Sequence, residues 1–371
     1  MIPQQKPRTT HYFPALTGVR TVAAGMIYLH HFNFFSPALF GNFIHDFVSE
    51  FHVGVTIFFV LSGFLIYYLY ADFIWREKKW LGRYFLNRFA RIYPMYFLLT
   101  IIMFLPGICQ QYCSGRVLFL NLSFLRGFFD EFKFTGISSG WSLTVEETFY
   151  TLFPLIIFLS SRIRLALQPL LFIGIGILLL FFSRGIDFHG FFSGPAFLFE
   201  FTFFGRCFEF FAGMWLARFF VNHSGSEVKK AFPVRTVAGI LLILLCISLL
   251  VVNRRVNTGT SFLFGETIIN NFSLPFGICL FFYGLLVEQS LIRRILSTPL
   301  FSILGKSSYI FYMIHNGVLF VFFYNRLHMN VLVIFVLLQL ISILLYKTLE
   351  KPINVYIRRV GHQKLHLPLT S

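Results

Sequence analysis

Charged residues are scarce in this sequence. Asp, Glu, Lys and Arg make up 12% of its 371 residues, whereas a soluble domain carries roughly 25%. Hydrophobic residues supply 57%, the mean hydropathy is +0.74, and apolar runs recur from end to end. This composition excludes a soluble globular protein. It predicts an all-α membrane protein whose single transmembrane domain covers residues 1–371, with no soluble domain attached.

Cysteine is also rare, and several familiar site motifs are missing. The five cysteines form no Cys/His cluster with the spacing of a zinc site, so we expect no metal. A Gly-rich phosphate loop, an HExxH helix and a nucleophile elbow are absent from the sequence. Cys109 and Cys113 lie near the outer end of the third predicted span, where a disulfide and two unpaired small side chains are both compatible with the spacing.

Basic residues outnumber acidic ones, and they alternate between loops. With the N-terminus placed inside the cell, 22 of the 31 Lys and Arg residues fall in cytoplasmic segments and seven in outer loops. This asymmetry predicts a polytopic bundle of about ten transmembrane helices with both termini in the cytoplasm. It also accounts for the formal net charge of +16 without a nucleic-acid partner, so the expected partner is the lipid bilayer. The predicted spans are 12–36, 48–71, 92–108, 141–160, 165–183, 200–221, 235–252, 264–287, 300–324 and 328–346.

Arg20 and His31 are the most informative residues, because both lie in the first apolar run. An arginine facing lipid would cost roughly 2.5–3.5 kcal/mol or more, so Arg20 is expected to face the interior of the bundle. Eleven residues of helix bring His31 back to within about 20° of the same face and about 16 Å further along, whereas His30 points about 80° away. A cation and a titratable imidazole on one interior stripe predict the core of a membrane enzyme.

Arg88 and Arg91 are three residues apart, on one helical face at the cytoplasmic end of the third span. Two guanidiniums that converge at such a position predict a clamp for phosphate. The alternative is a plain cytoplasmic anchor of the positive-inside kind. Pro94 follows shortly and is expected to loosen the helix, so that backbone groups can contribute to the site.

An acidic pair, Glu146 and Glu147, lies within two turns of the start of the fourth span. Such a pair is costly inside a membrane unless it is paired or lines a wet cavity. Trp141 and Ser142, just before it, predict a polar face with an aromatic edge. The carboxylates are candidates to orient a histidine, to act as a general base or to bind a sugar hydroxyl. The alternative is a structural charge that an arginine neutralises.

Three further polar features have mainly structural interpretations. Arg206 and Glu209 share a helical face and are expected to neutralise each other. His315 lies mid-span, where a lone buried histidine is more often a hydrogen-bonded packing residue than a catalyst. Glu350, flanked by lysines, is expected to cap a helix at its cytoplasmic end.

In combination, these motifs resemble the acyltransferase family 3, the integral membrane O-acyltransferases of bacteria, over nearly the whole chain. Departures are small: Thr56 stands where the family often has Asp, and Thr148 where Gln is common. The matching segments, in the order of the family, are LTGVRTVAAGMIYLHH for its Arg-x10-His motif, HVGVTIFFVLSGFLI, LNRFARIYPMYFL for its Arg-x-x-Arg segment, WSLTVEETFYTLFPLI, RCFEFFAGMWLAR, GKSSYIFYMIHNGV and YKTLEKPI.

The resemblance implies transfer of an acyl group, usually acetyl, from cytoplasmic acyl-CoA to a hydroxyl of a cell-envelope carbohydrate in the bacterial inner membrane. The acceptor would be a lipopolysaccharide O-antigen, an exopolysaccharide or a similar glycan, free or lipid-linked. For that reaction we expect His31 to act as general base or acyl carrier, with Glu146 fixing its tautomer. Arg20, Arg88 and Arg91 are expected to hold acyl-CoA, and Arg20 is also a candidate for oxyanion stabilisation. The candidates for acceptor binding are Trp141, Ser142, Glu147, Tyr150 and His315.

Other readings compete with acyl transfer to a glycan. A flippase of lipid-linked glycan also needs intramembrane charges, but the internal repeats and paired broken helices typical of transporters are not evident in the sequence. A partner-binding sensor that lacks catalysis would not need Arg20, His31, Arg88 and Arg91 together. Within acyl transfer, a small-molecule or lipid acceptor stays open, because the outer loops that choose the acceptor carry no readable motif.

Overall fold

The computed structural model describes residues 12–71, 79–109, 112–185, 188–223 and 232–364. Within these ranges every regular element is a helix, apart from an isolated bridge between Phe129 and Phe191. The predicted all-α class is therefore confirmed. In chain order the α-helices are α1 (Pro14–His31), α2 (Pro37–Phe40), α3 (Asn42–Ser49), α4 (Gly54–Tyr70), α5 (Trp80–Met103), α6 (Gly115–Leu122), α7 (Trp141–Leu159), α8 (Gln168–Ser183), α9 (Pro195–Phe201), α10 (Phe203–His223), α11 (Val234–Val256), α12 (Gly259–Glu266), α13 (Leu274–Val287), α14 (Leu291–Leu296), α15 (Pro299–Ile314), α16 (Val318–Val321), α17 (Val331–Leu345) and α18 (Lys351–Lys364).

Five helical stretches are long and apolar enough to cross a membrane, and a bent pair adds a sixth if it forms one span. The bent pair joins Pro299–Ile314 to Val318–Arg326 at an angle of 77°. These stretches support a protein of the membrane, with several of its helices crossing the bilayer. The five are Asn42–Tyr70, Ser138–Leu159, Val234–Val256, Gly259–Val287 and Val331–Lys364.

Helices stand at all ten predicted spans, but ten transmembrane helices are not confirmed. Helices α1, α5 and α10 carry Arg20, the Arg88–Arg91 pair and the Arg206–Glu209 pair, which lower their hydropathy, and α8 is short. The cytoplasmic placement of the termini stays a prediction, because both ends of the chain lie outside the described residues.

Two helices extend beyond the predicted spans. Helix α5 begins at Trp80, ahead of the predicted span 92–108 and including Arg88 and Arg91 as their helical spacing predicted, and the last span continues through a π-helical segment, Tyr346–Glu350, into α18 instead of ending near residue 346. An ion pair joins the two extended elements: Arg91 Nη1 lies 2.8 Å from Glu350 Oε1. Because Glu350 is only 2% exposed and lies inside a continuous helix, its expected role as a cytoplasmic end cap is wrong.

Helix α4 lies at the centre of the bundle and packs closely on α10 and α1. Two glycines allow the closest approach. A β-carbon on Gly63 would collide with the carbonyl of Phe210, and one on Gly213 would collide with the carbonyl of Val60. The α4 and α10 backbones are therefore in direct contact, as small residues permit in membrane helices. Around this pair, α1 packs on α15, α11 on α13, and α5 on α18.

The connection between α5 and α7 is held by a buried arginine. The Arg126 guanidinium is fully buried and donates to Asn121 Oδ1 at 2.8 Å, to the carbonyl of Ile137 at 2.7 Å and to the carbonyl of Thr135. Burial lowers the pKa of this guanidinium from its usual value. Three oxygen acceptors thus fix the connection as an ordered layer.

The same connection is tied to the rest of the bundle. Ser139 Oγ donates to the carbonyl of Tyr312 at 2.9 Å, which joins the layer to α15. At its start, Cys109 and Cys113 form a disulfide, which settles the alternative that the sequence left open.

The helices are interrupted where the polar residues of the core gather. Helix α15 ends at Ile314, and the chain turns sharply through His315 before α16. Between α12 and α13 the chain forms a π-helix, Thr267–Ser273, which carries Asn270 and Asn271. Such breaks leave side chains and backbone groups free to line a cavity, and π-helical turns often occur at functional sites.

Candidate active site

Three cavities follow one another through the bundle. We call them the histidine cavity (about 490 Å³, containing His31), the central cavity (about 40 Å³) and the basic cavity (about 400 Å³, containing Lys306). Val55 and Tyr312 line both the histidine and central cavities, and Arg20 lines both the central and basic cavities. The three spaces are therefore adjacent, with the smallest in the middle, and we call this series of cavities the route.

His31 lies at the C-terminal end of α1 and opens into the histidine cavity. Three other imidazoles surround it. The His31 ring centroid lies 5.0 Å from that of His30 and 5.2 Å from that of His315, and His30 in turn lies 5.4 Å from His52. The structure thus brings His31 and His315 together. It also places the ring of His30 beside them, although helical periodicity predicted that His30 points away from this face.

One side of the histidine cavity is aromatic. Trp141, Phe134 and Phe201 line it, and the ring centroids of Trp141 and Phe201 lie 5.0 Å apart. Phe134 and Ser139 belong to the connection between α5 and α7, so this connection forms part of the cavity wall. The rings meet edge to face, so this wall offers both ring faces and ring edges to the apolar side of a ligand.

One wall of the histidine cavity is polar, and its side chains form hydrogen bonds and an ion pair with one another or with residues behind the wall. Arg206 contacts Glu209 through both carboxylate oxygens, at 2.6 to 3.1 Å, so the expected neutralisation of this pair is confirmed. Arg206 also donates to Thr56 Oγ1 at 3.0 Å, and Thr56 donates to Asn270 Oδ1 at 2.8 Å. The Thr56 position therefore serves the wall of the cavity through hydrogen bonds rather than through a charge.

A second polar group lies on another wall. His52 Nε2 lies 2.9 Å from Glu266 Oε1, and Arg254 Nε lies 2.6 Å from Glu50 Oε1. In the described part of the chain, Glu50, His52 and Glu266 are the group close enough together to share a cation. Because Arg254 already neutralises Glu50, we assign these residues to an ion-pair network and place no metal there.

Arg20 and Glu146 both line the central cavity. Arg20 Nε donates to Ser308 Oγ at 3.2 Å, and the guanidinium lies over the Phe58 ring, 5.7 Å from its centroid. The Glu146 carboxylate accepts hydrogen bonds from Ser62 and Tyr150. Glu146 therefore lies on the side of the route near Arg20, and the structure does not place it in the cavity of His31.

Ser142 and Tyr150 also belong to this central region. Ser142 Oγ lies 2.6 Å from the hydroxyl of Tyr312, and Tyr150 OH donates to Glu146. Both residues are buried. Of the five predicted acceptor-binding residues, only Trp141 lines the histidine cavity itself.

The basic cavity collects three cations. Arg20, Arg91 and Lys306 line it together with Tyr12, and Glu350 pairs with Arg91. One carboxylate against three cations leaves a net positive charge, so this cavity suits an anion.

Arg88 lies elsewhere, although it is only one turn from Arg91. With Glu147 and Tyr150 it lines a separate side cavity of about 190 Å³. Its guanidinium lies over the rings of Tyr70 and Tyr150, 5.5 and 5.7 Å from their centroids. The spacing of the two arginines predicted that they would converge on one site. In the structure they line two different cavities.

Sequence reasoning missed several residues of these cavities. Lys306 gave a usable signal, because it is a cation inside the predicted span 300–324. His52 and Glu266 gave none: they are 214 residues apart, and only the tertiary fold joins them.

Comparison with known proteins points to acyl transfer. A family profile described as "Acyltransferase domain" matches residues 13–347. The O-acetyltransferase OatA of Staphylococcus aureus (strain NCTC 8325 / PS 47) is 30% identical over 175 residues, which are 43% of this chain and 27% of that protein. The peptidoglycan O-acetyltransferase OatA of Listeria monocytogenes is 29% identical over 196 residues, 46% of this chain and 29% of that protein. The matched part is thus less than a third of either relative's length, and no solved structure matches.

Proposed function

This chain belongs to the acyltransferase 3 family, and from that premise we propose that it is a membrane-embedded O-acetyltransferase. It takes the acyl group from cytoplasmic acyl-CoA and transfers it to a hydroxyl of a cell-envelope glycan. The observation that carries the proposal is the route of three cavities, with cations at one end and His31 at the other.

The donor enters through the basic cavity. CoA carries several phosphate charges, and Arg20, Arg91 and Lys306 supply guanidinium and ammonium donors for them. The pantetheine arm then extends past Arg20 towards His31. The helical rise between these two residues is about 16 Å, so Arg20 suits the phosphate or pantetheine end rather than the reacting carbonyl.

The chemistry takes place in the histidine cavity. His31 accepts the proton of the acceptor hydroxyl, the oxygen attacks the thioester carbonyl, and the C–S bond breaks as the C–O bond forms. The proton then passes to the leaving CoA sulfur, so that the reaction needs no other reactant. In the alternative mechanism, the same nitrogen of His31 is transiently acylated and carries the acyl group until the acceptor arrives.

The acceptor lies against the aromatic wall. Trp141 and Phe201 offer ring faces, while Asn270, Asn271 and Glu200 offer hydrogen-bonding groups on other sides of the cavity. An apolar face beside polar groups suits a sugar, which has an apolar ring face and a rim of hydroxyls. The Listeria relative is named for peptidoglycan, and we extend a glycan acceptor of that kind to this chain.

The test is release of free CoA from acetyl-CoA by the purified protein in liposomes, with envelope glycan extract as the acceptor source. The wild type is compared with His31→Gln and with His223→Gln, a control at the exposed end of α10. We expect the rate of His31→Gln to be at least about 100-fold lower, because a general base typically accelerates a reaction by that factor or more. The control is expected to match the wild type. Wild-type turnover that persists in His31→Gln would overturn the role of His31. The absence of acceptor-dependent turnover in the wild type would overturn the proposed reaction.

A further inference from the structure

Resting on the proposed acyl transfer, we propose that His315 is a positioning residue for His31. Its Nε2 accepts a hydrogen bond from one ring nitrogen of His31, fixes the tautomer of that ring, and leaves the other nitrogen as the base. The sequence assigned this task to Glu146, and assigned His315 to acceptor binding or packing.

The protonation of the His315 ring follows from its contacts. Nδ1 lies 2.7 Å from the carbonyl oxygen of Tyr312. A carbonyl can only accept, so Nδ1 carries the hydrogen, and Nε2 of the neutral ring is an acceptor. The backbone of the break after α15 thus holds the ring in one tautomer.

That acceptor is left without a donor. His315 is completely buried, and its Nε2 has no hydrogen-bond partner in the described part of the chain. A buried acceptor without a donor destabilises the fold, so such a group calls for an explanation. The ring of His31 lies beside it, with the centroids 5.2 Å apart and the planes inclined by 37°.

The neighbours of the two rings leave no better partner for His31. Glu146 is bonded to Ser62 and Tyr150 and lines the central cavity. His30 also has a fixed ring, with Nδ1 2.5 Å from the carbonyl of Ser49, but it lies between His31 and His52.

Other titratable groups face the pair from several elements. His30 faces His31 from α1, His52 in the turn before α4 faces His30, and Tyr312 faces His315 from its own helix. The charged Glu50, Glu266 and Arg254 are engaged around His52. No carboxylate of the described residues lies within ion-pair distance of the His31 or His315 ring, so a neutral imidazole is the acceptor that His31 has.

This arrangement makes a specific prediction about pH. The bond from His31 to His315 strengthens when His31 gains a proton, so it favours the protonated form of His31. Its removal therefore shifts the acidic limb of kcat/KM to lower pH, in addition to lowering the rate. Loss of packing alone would lower the rate or the stability and leave the position of the limb unchanged.

The experiment compares His315→Phe, which keeps a ring but no acceptor, and His315→Gln, whose amide oxygen can accept. His362→Gln, at another buried histidine on α18, is the control. In His315→Phe we expect kcat to fall about 10-fold to 100-fold, with the acidic limb of kcat/KM moved to lower pH. His315→Gln is expected to recover part of both effects. An unmoved limb in His315→Phe would overturn the proposal, even if the rate falls.

A second readout does not depend on acyl transfer. Diethyl pyrocarbonate acylates neutral imidazole, and tandem mass spectrometry distinguishes modification of His31 from that of His30. The pH at which His31 is half protected is measured in the substrate-free protein, in the wild type and in His315→Phe. A shift to lower pH in the variant supports the pairing even if the wild type turns over no acyl-CoA, whereas identical midpoints would exclude it.

Discussion

Arg88 and Arg91 illustrate how two like residues, one helical turn apart, reach different environments. Arg91 contributes to the basic cavity, and its side chain stays 31% exposed although Glu350 pairs with it. Arg88 is enclosed by aromatic rings in the side cavity. A phosphate that enters the basic cavity meets the first guanidinium and not the second.

The two arginines should therefore respond differently to the same substitution. We expect Arg91→Gln to raise KM for acetyl-CoA about tenfold, equivalent to roughly 1.4 kcal/mol, because a charge-assisted contact with phosphate is lost. Arg88→Gln is the matched variant and should raise KM less. Initial rates at varied acetyl-CoA concentration measure both, and a larger KM effect at Arg88 would argue against entry through the basic cavity.

Periodicity alone can predict residues whose role follows from one helix. The placement of Arg20 inside the bundle, and the Arg206–Glu209 pair, were accessible in this way, because a charge in an apolar helix must face the interior and an i,i+3 partner is always near. The partners of Glu146 and of His31 were not. Glu146 bonds to Ser62, 84 residues away, and no helical pattern contains such a pairing.

At the scale of helices, the contact between α4 and α10 depends on the absence of side chains. Gly63 and Gly213 each face a carbonyl of the opposite helix. Because α4 also supplies Val55 to two of the cavities, any separation of these helices would widen the route.

Alanine at Gly213 should therefore destabilise the protein, although alanine is the better helix former by about 1 kcal/mol. We expect Gly213→Ala to lower the melting temperature in detergent by several degrees, since the added methyl group meets the Val60 backbone. Gly174→Ala on α8 is the control, because nothing lies within 4 Å of its β-carbon position, and it should leave the melting temperature unchanged or raise it. Equal effects at both glycines would contradict this account of the packing.

Helix ends were the least predictable feature. The basic first half of α5 and residues 347–351 both look like loops, because isolated charges avoid membranes. Both are helical in the structure, and the ion pair between Arg91 and Glu350 joins them across 259 residues. Charge patterns indicate loops correctly only where the charges have no distant partner.

On the scale of the whole molecule, the small central cavity closes the route between the two larger cavities. The central cavity of about 40 Å³ has room for roughly one or two water molecules, far less than a pantetheine arm needs. Phe58, Phe59 and Leu143 line it, so the proposed entry of acyl-CoA requires these side chains to move. Under the proposed reaction, donor binding and acyl transfer are therefore separable steps.

A bulky residue at the junction of the histidine and central cavities should separate them. In Val55→Trp we expect acyl transfer to fall at least about tenfold, while acetyl-CoA still binds in the basic cavity with its wild-type affinity. Calorimetric binding and CoA release measure the two steps. Val22→Trp is the control, because Val22 is 43% exposed on α1. Loss of acetyl-CoA binding in Val55→Trp, with the thermal stability preserved, would mean that the donor does not enter from the basic side.

The sequence predicted the all-helical membrane class of the protein but not the number of helices that cross the membrane. The long continuous apolar runs predicted an all-helical membrane protein, because a helix satisfies its own backbone hydrogen bonds within lipid. The number of crossing helices was not accessible, because α1, α5 and α10 combine charged side chains with a span-like length. Helices that carry interior charges lose the hydropathy by which spans are recognised.

The small central cavity has a consequence for the movement of protons across the membrane. An enzyme with cavities on both sides of a membrane risks becoming a pathway for protons, which move readily along files of water. With room for roughly one or two waters beside Arg20, the central cavity interrupts such a file, and the guanidinium charge repels protons there. The centre of the protein thus lacks the continuous file of water that proton leakage through the bundle would require.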